Sequence, residues 1–202
     1  MTDFPGEHPE PPRDLADRSP LLSELTPGTA FSRIHCRNEA PVFFGKTGRN
    51  RFDSPNAKFG VLYVGLDVHC AFIETFGQSA AIRTVTRRAL DQRHLSYLKI
   101  AAPLTLIDLA GSGGLTRIGA DARLLGGSHA VAQRWSAALR NHPTKPAGLL
   151  YPARHDVARK ACALFDLPES VFEVTNAGSL LDPRHAVLLA SILDTYDFGL
   201  ID

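Results

Sequence analysis

Cysteine is scarce in this sequence, and its spacing supports no disulfide framework. The three cysteines, Cys36, Cys70 and Cys162, are an odd number without a CxxC pair, which favours a reducing compartment. No apolar run approaches the roughly 20 residues that span a bilayer, and no basic stretch precedes a hydrophobic segment at the N-terminus, as a signal peptide requires. We therefore expect a cytoplasmic protein that does not insert into a membrane.

The sequence also lacks an excess of charge of either sign, because its 22 lysines and arginines nearly balance its 21 acidic residues. Such a balance creates no global field for nucleic acid or an anionic membrane, so we expect neither as a partner of this chain alone. The phosphate loop GxxxxGK[ST], the metalloprotease motif HExxH and the hydrolase motif GxSxG are all absent. Most common enzyme classes therefore lack their marker here.

The composition along the chain predicts a tail followed by one domain. Residues 1–25 are rich in proline and charge, a composition that buries too little surface to order itself, and we predict a flexible N-terminal tail. The whole chain has 202 residues, 44% of them hydrophobic, which suits a single core. We therefore assign residues 26–202 to one domain.

Hydrophobic periodicity predicts both strands and helices. Residues 29–35 alternate as a half-buried strand does, and residues 61–64 are a short apolar run between glycines, typical of a buried strand. Residues 45–60 predict a long loop. Asp67 can cap a helix, in which the apolar stripe leaves Glu74 on the flank, at the boundary between core and solvent.

The rest of the chain continues this mixture. We predict a helix over 80–92, strands over 104–109, 148–151 and 161–165, a helix capped by Ser128 with Trp135 in the core, and a last helix that begins at Asp182 and Pro183. Because strands and helices do not alternate regularly, the pattern favours a single α+β domain over a doubly wound sheet.

Two weaker site hypotheses come from local patterns. Glycines at 111, 113 and 114 follow a predicted strand but lack the GxGxxG spacing of a dinucleotide fingerprint. The pairs His35-Cys36 and His69-Cys70 supply nitrogen and sulfur ligands that a zinc-dependent hydrolase needs. However, adjacent strand residues point to opposite faces, so we expect no metal site.

A stronger constellation runs from Arg33 to Glu74 and is carried by four segments. These are the strand Phe31-Ser32-Arg33-Ile34, the loop Gly48-Arg49-Asn50-Arg51-Phe52-Asp53, the strand Gly60-Val61-Leu62-Tyr63-Val64 and the helical segment Ala71-Phe72-Ile73-Glu74-Thr75-Phe76. In order and spacing they resemble the RES-domain family of toxins from Xre-RES toxin-antitoxin systems. Later segments, including 106–109, 148–152 and 193–201, are similar as well, so that the resemblance covers roughly residues 26–201.

The resemblance implies a fold like that of ADP-ribosyltransferase toxins, NAD as substrate rather than cofactor, and an Xre-type antitoxin as partner. By motif position, Arg33, Tyr63 and Glu74 match the family's arginine, tyrosine and glutamate, and Arg51 matches the arginine of its loop. The implied reaction breaks the nicotinamide-ribose bond of NAD. Water, inorganic phosphate or a protein side chain can then accept the ribosyl group, and no residue of the sequence chooses among these acceptors.

These residue types suit that chemistry. Cleavage builds positive charge on the ribose, which a carboxylate such as Glu74 stabilises. The guanidinium groups of Arg33 and Arg51 can bind the pyrophosphate, and Arg33 is a catalytic candidate together with Glu74. The ring of Tyr63 can face the cationic nicotinamide.

The resemblance breaks after the strand at 148–152, where the family commonly carries a serine and this chain has Ala153. A methyl group makes no hydrogen bond, so any contact of that serine to substrate is lost or supplied by another group. Arg154, the next residue, is an additional candidate for contact with NAD. The alternative hypothesis is a weakly active or inactive RES-like protein that acts by binding an antitoxin or another partner.

Overall fold

The fold contains more strand than helix. It is given by a computed structural model that describes residues 10–77, 79 and 81–202. The strands are β1 (Leu22–Leu25), β2 (Ala30–Cys36), β3 (Val61–Gly65), β4 (Thr84–Thr86), β5 (Arg93–Ile100), β6 (Leu104–Asp108), β7 (Gly148–Ala153), β8 (Asp156–Phe165), β9 (Phe172–Gly178) and β10 (Gly199–Ile201). The helices are α1 (Val68–Phe76), α2 (Arg87–Asp91), α3 (Gly114–Ile118), α4 (Arg123–Gly126), α5 (His129–Arg140) and α6 (Ala186–Tyr196). Short 3-10 turns lie at Leu15–Asp17, Glu169–Val171 and Pro183–His185.

Eight strands form one mixed sheet in the order β1-β6-β7-β8-β3-β2-β5-β9, and β4 pairs with β10 in a separate two-stranded ribbon. Within the large sheet β6 and β7 are parallel, and the other neighbouring pairs are antiparallel. A mixed sheet with packed helices in one domain confirms the predicted α+β class. None of the helices in the described part of the chain is long and apolar enough to cross a membrane.

Both faces of the large sheet are buried, and each contributes to a different cluster of apolar side chains. Along β3, Val61 packs with the cluster around Trp135 of α5, whereas the next residue, Leu62, packs with Phe31 and Leu98. This alternation is what the two-residue period of a strand requires. A third cluster packs Phe72 of α1 with residues of α6, which closes the domain on the side of the first helix.

Local signals correctly predicted the first helix. The side chain of Asp67 accepts a hydrogen bond from the amide of Cys70, as an N-cap does. The helix ends at Phe76, and Gly77 donates its amide to the carbonyl of Ile73. Phe72 and Ile73 of α1 are at most 4% exposed. Glu74, which follows them, is partly exposed and lies at the edge of the buried stripe.

The helix predicted over 80–92 is wrong. In the structure β4 runs parallel to β10, and only the short helix α2 follows it. Three β-branched residues in succession at Thr84–Thr86 suit a strand better than a helix. The hydroxyl of Thr86 then accepts the amide of Ala89, and α2 starts about two turns later than periodicity indicates. Residue 80 lies outside the described residues.

The flexible tail predicted for residues 1–25 needs a correction as well. Leu22–Leu25 forms β1, which pairs with β6 from Leu22 opposite Ile107 to Leu25 opposite Leu104. Leu15 is 5% exposed and packs in the cluster around Trp135. Pairing with β6 gives hydrogen-bond partners to backbone groups that the composition predicts to be in solvent. Residues 1–9 of the predicted tail lie outside the described residues.

Candidate active site

The five residues singled out in the sequence line one cleft of about 610 Å³. Their positions come from five parts of the chain: Arg33 from β2, Arg51 from the loop before β3, Tyr63 from β3, Glu74 from α1 and Arg154 from the turn between β7 and β8. The structure therefore brings together all five side chains, across a sequence distance of more than one hundred residues. It does not bring the rival metal ligands together.

Two of the four proposed metal ligands, His35 and Cys70, have hydrogen-bond partners elsewhere in the fold. His35 pairs through Nε2 with the hydroxyl of Ser96 at 2.9 Å, and burial lowers the pKa of His35. Cys70 donates its thiol to the carbonyl of Lys160, and burial raises its pKa to about 12. Within the described residues, no three histidine, cysteine, aspartate or glutamate side chains are grouped to hold a metal ion.

The loop that carries Arg51 is organised around the buried carboxylate of Asp53, which is 1% exposed. Its Oδ2 accepts hydrogen bonds from the Thr47 hydroxyl at 3.0 Å and from the amides of Arg49 and Asn50 at 3.1 Å each. Its Oδ1 accepts the Tyr63 hydroxyl at 3.0 Å. A carboxylate with this many donors fixes the path of the loop over residues 47–53.

Tyr63 therefore has a structural hydroxyl and a ring on the cleft. The hydroxyl donates to Asp53 and accepts the amide of Phe52 at 3.0 Å. Burial, followed by the nearby Asp53 charge, raises the pKa of Tyr63 well above its usual value. The hydroxyl keeps its proton at any physiological pH, so that the ring is the part of Tyr63 free to contact a ligand.

Helix α5 holds the same loop from the other side. The side-chain amide of Gln133 donates to the carbonyls of Gly48 at 2.8 Å and Asn50 at 3.0 Å, and the Ser136 hydroxyl donates to Phe52 at 2.7 Å. Gly48 has φ +69°, a conformation that suits glycine. The loop is therefore attached to both a strand and a helix before any ligand binds.

The guanidinium groups in the cleft are partly withdrawn from water. Arg33 donates from Nη1 to the carbonyl of Pro41, and burial lowers its pKa to about 10. Arg51 donates to the carbonyl of Gly127 at 2.9 Å, and its pKa is lowered first by burial and then by the positive charge of Arg154. Arg33 stays protonated near neutral pH, because a pKa of about 10 lies well above 7, and an arginine such as Arg51 keeps its proton in proteins.

Glu74 is oriented by the backbone of the opposite wall. Its Oε1 accepts the amide of Arg154 at 2.8 Å, which links α1 to the turn between β7 and β8. The same turn is held on its other flank, where Asp156 accepts the Tyr196 hydroxyl at 2.9 Å and the Arg159 guanidinium at 3.0 Å. Glu74 thus faces the cleft with its carboxylate in a fixed position.

The cleft as a whole is cationic. Its lining includes four arginines against two carboxylates, together with aromatic and imidazole rings, and these charged residues are Arg33, Arg49, Arg51, Arg154, Glu39 and Glu74. Such a surface concentrates a ligand with several negative charges, and bidentate arginine contacts suit phosphate oxygens. The arrangement can therefore hold an anionic ligand and place one carboxylate beside it.

Sequence reasoning overlooked two residues of this site. Asp53 was part of the loop motif but received no role, because its contact to Tyr63 depends on how β3 returns past the loop. His155 also lines the cleft, beside Arg154, and no periodicity or spacing indicated it. By contrast, Ala153 is fully buried in the core cluster of Trp135, at 0% exposure.

Comparison with known proteins gives three findings. A family model described as the RES domain matches residues 30–184. "Probable toxin y4kH" of Sinorhizobium fredii is 37% identical over 113 residues, which are 55% of this chain and 86% of that protein. A chain in the crystal structure of the M. tuberculosis MbcT-MbcA toxin-antitoxin complex is similar in fold, with a TM-score of 0.54 and 14% identity over 77% of this chain and 87% of that chain.

Proposed function

The chain belongs to the RES domain family, and from that premise we propose that it is the toxin of a toxin-antitoxin system and cleaves the nicotinamide-ribose bond of NAD. The observation that carries the proposal is the meeting of Arg33, Arg51, Tyr63, Glu74 and Arg154 in one cationic cleft. A dinucleotide offers two negative phosphates and one cationic ring. The cleft offers guanidinium groups for the former and an aromatic ring for the latter.

Glu74 stabilises the transition state. When the bond between C1′ of the ribose and the nicotinamide nitrogen breaks, the electron pair leaves with nicotinamide, and positive charge develops on the ribose. Oε1 of Glu74 is already held by the Arg154 amide at 2.8 Å. Its Oε2 is therefore oriented to accept a ribose hydroxyl and to face the developing charge, without reorganisation at the moment of reaction.

The arginines and Tyr63 bind and orient the substrate. Arg33 and Arg51 keep their charge in a partly buried setting, where a phosphate contact is stronger than in water. The ring of Tyr63 faces the nicotinamide, an interaction worth about 1 kcal/mol and more when water is excluded. An oxygen of water, phosphate or a protein side chain then bonds to C1′. Water or a hydroxyl side chain loses its proton to solvent, whereas phosphate attacks through an unprotonated oxygen.

The partner in this proposal is an antitoxin protein of the Xre type. Its support is the fold shared with a chain from a structure described as a toxin-antitoxin complex and the similarity to a probable toxin. Growth arrest on expression of this chain alone, relieved by co-expression of an antitoxin that co-purifies with it, is the expected result.

The enzymatic proposal is tested by incubating the purified protein with NAD, with and without inorganic phosphate. Free nicotinamide is measured, and the ribosyl product identifies the acceptor. We expect Glu74→Gln to lower the rate about 10²- to 10³-fold, the usual loss when one electrostatic contact to a transition state is removed. Glu24→Gln, the same change on exposed β1 at the far edge of the sheet, should release nicotinamide at the normal rate.

The proposal fails if wild-type protein releases no nicotinamide under any of these conditions, including added cell lysate as a source of protein acceptor. Retained binding of an antitoxin in that case would favour the alternative, a RES-like binding protein without activity. Equal rates for wild type and Glu74→Gln would leave the reaction in place but remove Glu74 from it.

A further inference from the structure

His155 is the cleft residue that the proposed mechanism leaves unused. It forms a two-residue turn with Arg154 between β7 and β8, where Ala153 pairs with Asp156. His155 lines the cleft, yet its Nε2 is buried and has no hydrogen-bond partner among the described residues. Buried polar atoms are nearly always paired in native structures, and an unpaired one calls for a ligand or another explanation.

The turn holds His155 in place from both sides. Before it, the amide of Arg154 donates to Glu74 at 2.8 Å. After it, Asp156 accepts the Tyr196 hydroxyl at 2.9 Å and the Arg159 guanidinium at 3.0 Å. The backbone of His155 is therefore fixed at both neighbours, and a rotation of the imidazole about its side-chain torsions is enough to bring the buried Nε2 to the cleft that His155 lines.

The charges around the turn indicate an anionic ligand group. Arg154 adjoins His155, and its charge lowers the pKa of Arg51 across the cleft in addition to the larger effect of burial. Two guanidinium groups that repel each other across a cleft are stabilised when an anion lies between them. A phosphate oxygen only accepts hydrogen bonds, and an imidazole with the proton on Nε2 donates one.

We propose that Nε2 of His155 donates a hydrogen bond to a phosphate oxygen of the dinucleotide pyrophosphate, so that His155 is a substrate-binding residue. The inference rests on the proposed function for the identity of the ligand. It adds a contact that neither the sequence motif nor the five converging residues include. It also gives the turn of β7 and β8 two functions, since its backbone orients Glu74 and its side chain binds the substrate.

The test is calorimetric titration with ADP-ribose, which keeps the pyrophosphate and has no nicotinamide bond to cleave. We expect His155→Ala to weaken ADP-ribose binding at least about tenfold, as loss of a hydrogen bond to a charged group does. His155→Gln retains an N–H at a similar distance and should stay within about threefold of wild type. His94→Ala, on β5 and outside the cleft lining, should bind normally.

A kinetic readout separates binding from a structural role. With NAD as substrate, His155→Ala should raise KM about tenfold and leave kcat within about threefold, because a pyrophosphate contact is present equally in the ground state and the transition state. Adenosine and nicotinamide riboside, which lack phosphate, should bind wild type and His155→Ala alike. Inorganic phosphate is titrated alongside, since a free phosphate offers the same oxygens.

Several results would overturn the inference. The first is ADP-ribose binding by His155→Ala and His155→Gln at wild-type strength, and the second is no ADP-ribose binding by wild type. The third is a His155→Ala variant that binds inorganic phosphate more weakly than wild type but binds ADP-ribose normally. If His155→Ala does not fold, His155→Phe, which keeps a ring and has no N–H donor, takes its place and must bind ADP-ribose at least about tenfold more weakly than His155→Gln. Weakened ADP-ribose binding in a protein that releases no nicotinamide would support the contact and refute the reaction, so the two proposals fail separately.

Discussion

Two walls of the cleft differ in how many of their polar groups have hydrogen-bond partners within the protein. The Asp53 wall, made of residues 47–53 and Tyr63, pairs its polar groups with one another and with α5. Among the residues that the structure describes, the Glu74 wall, made of Glu74 and the turn Arg154-His155, has one hydrogen bond across it, from the Arg154 amide to Glu74, and Nε2 of His155 has no partner. We infer that the Asp53 wall holds the cleft in shape and that the Glu74 wall contacts the reacting part of the substrate.

This difference predicts which measurement each wall controls. Changes in the Asp53 wall should lower the free energy of unfolding, because they leave buried groups unpaired. Changes in the Glu74 wall should alter nicotinamide release with little change in stability, because its groups face a ligand. The comparison breaks if changes in the Glu74 wall lower the free energy of unfolding as much as changes in the Asp53 wall do.

The largest effect on stability is expected from Asp53→Asn. The amide cannot accept hydrogen bonds on both sides, so either the Tyr63 hydroxyl or the amides of Arg49 and Asn50 lose their acceptor. We expect the free energy of unfolding to fall by about 3 kcal/mol, measured by urea denaturation. Nicotinamide release should fall too, because Arg51 lies on the same loop.

The matched control is Asp91→Asn. Asp91 pairs with Arg37 on the surface, where its side chain is 63% exposed, and such pairs contribute less than about 1 kcal/mol. Equal losses of stability for Asp53→Asn and Asp91→Asn would contradict the view that Asp53 organises the cleft.

A smaller effect is expected from Tyr63→Phe, which removes the hydroxyl and keeps the ring. Asp53 loses one donor and the Phe52 amide loses its acceptor, so stability should fall by about 1.5 kcal/mol. KM for NAD should stay within about twofold, because the proposed contact to nicotinamide is made by the ring. Tyr97→Phe on β5, outside the cleft lining, is the control for loss of a hydroxyl.

The opposite pattern, with unchanged stability and a KM raised tenfold or more, would move the Tyr63 hydroxyl from the structural network to the substrate. It would also place Tyr63 in the same functional class as Glu74, and the contrast between the walls would no longer hold.

The elements that carry the site residues were predictable because their signals are local. The alternation of β2, the apolar run of β3 and the Asp67 cap of α1 are each visible within about ten residues. The helix predicted over 80–92 failed because β4 is stabilised by β10, more than one hundred residues away in the chain. A pairing partner at that distance leaves no periodic signal in the strand itself.

The hydrogen bonds that support the site join residues far apart in the chain, as the pairing of β4 with β10 does. The resemblance to the RES family identified Arg33, Arg51, Tyr63 and Glu74 as candidates, and the structure brings them to one cleft. The bond from Gln133 to Gly48 spans 85 positions of the chain, and that from the Arg154 amide to Glu74 spans 80. Contacts of this kind depend on how layers pack, so neither the support of the loop nor the orientation of Glu74 was predictable from spacing.

The smallest effect is expected from Ala153→Ser, which restores the residue that RES proteins commonly carry. Ala153 is fully buried in the cluster of Trp135, so the added hydroxyl enters a packed core instead of the cleft. We expect stability to fall by about 1 kcal/mol from burial of the hydroxyl, and nicotinamide release to change less than about twofold. Urea denaturation and the nicotinamide assay measure both, with Ala163→Ser, an equally buried position on β8, as the control.

A rate that rises tenfold or more in Ala153→Ser, and not in Ala163→Ser, would show that the missing hydroxyl limits catalysis. The Glu74 wall would then be incomplete in this chain, and His155 would not replace the lost contact. An unchanged rate would mean that the turn reaches its substrate without a hydroxyl at 153, because the groups that face the cleft are the Arg154 and His155 side chains.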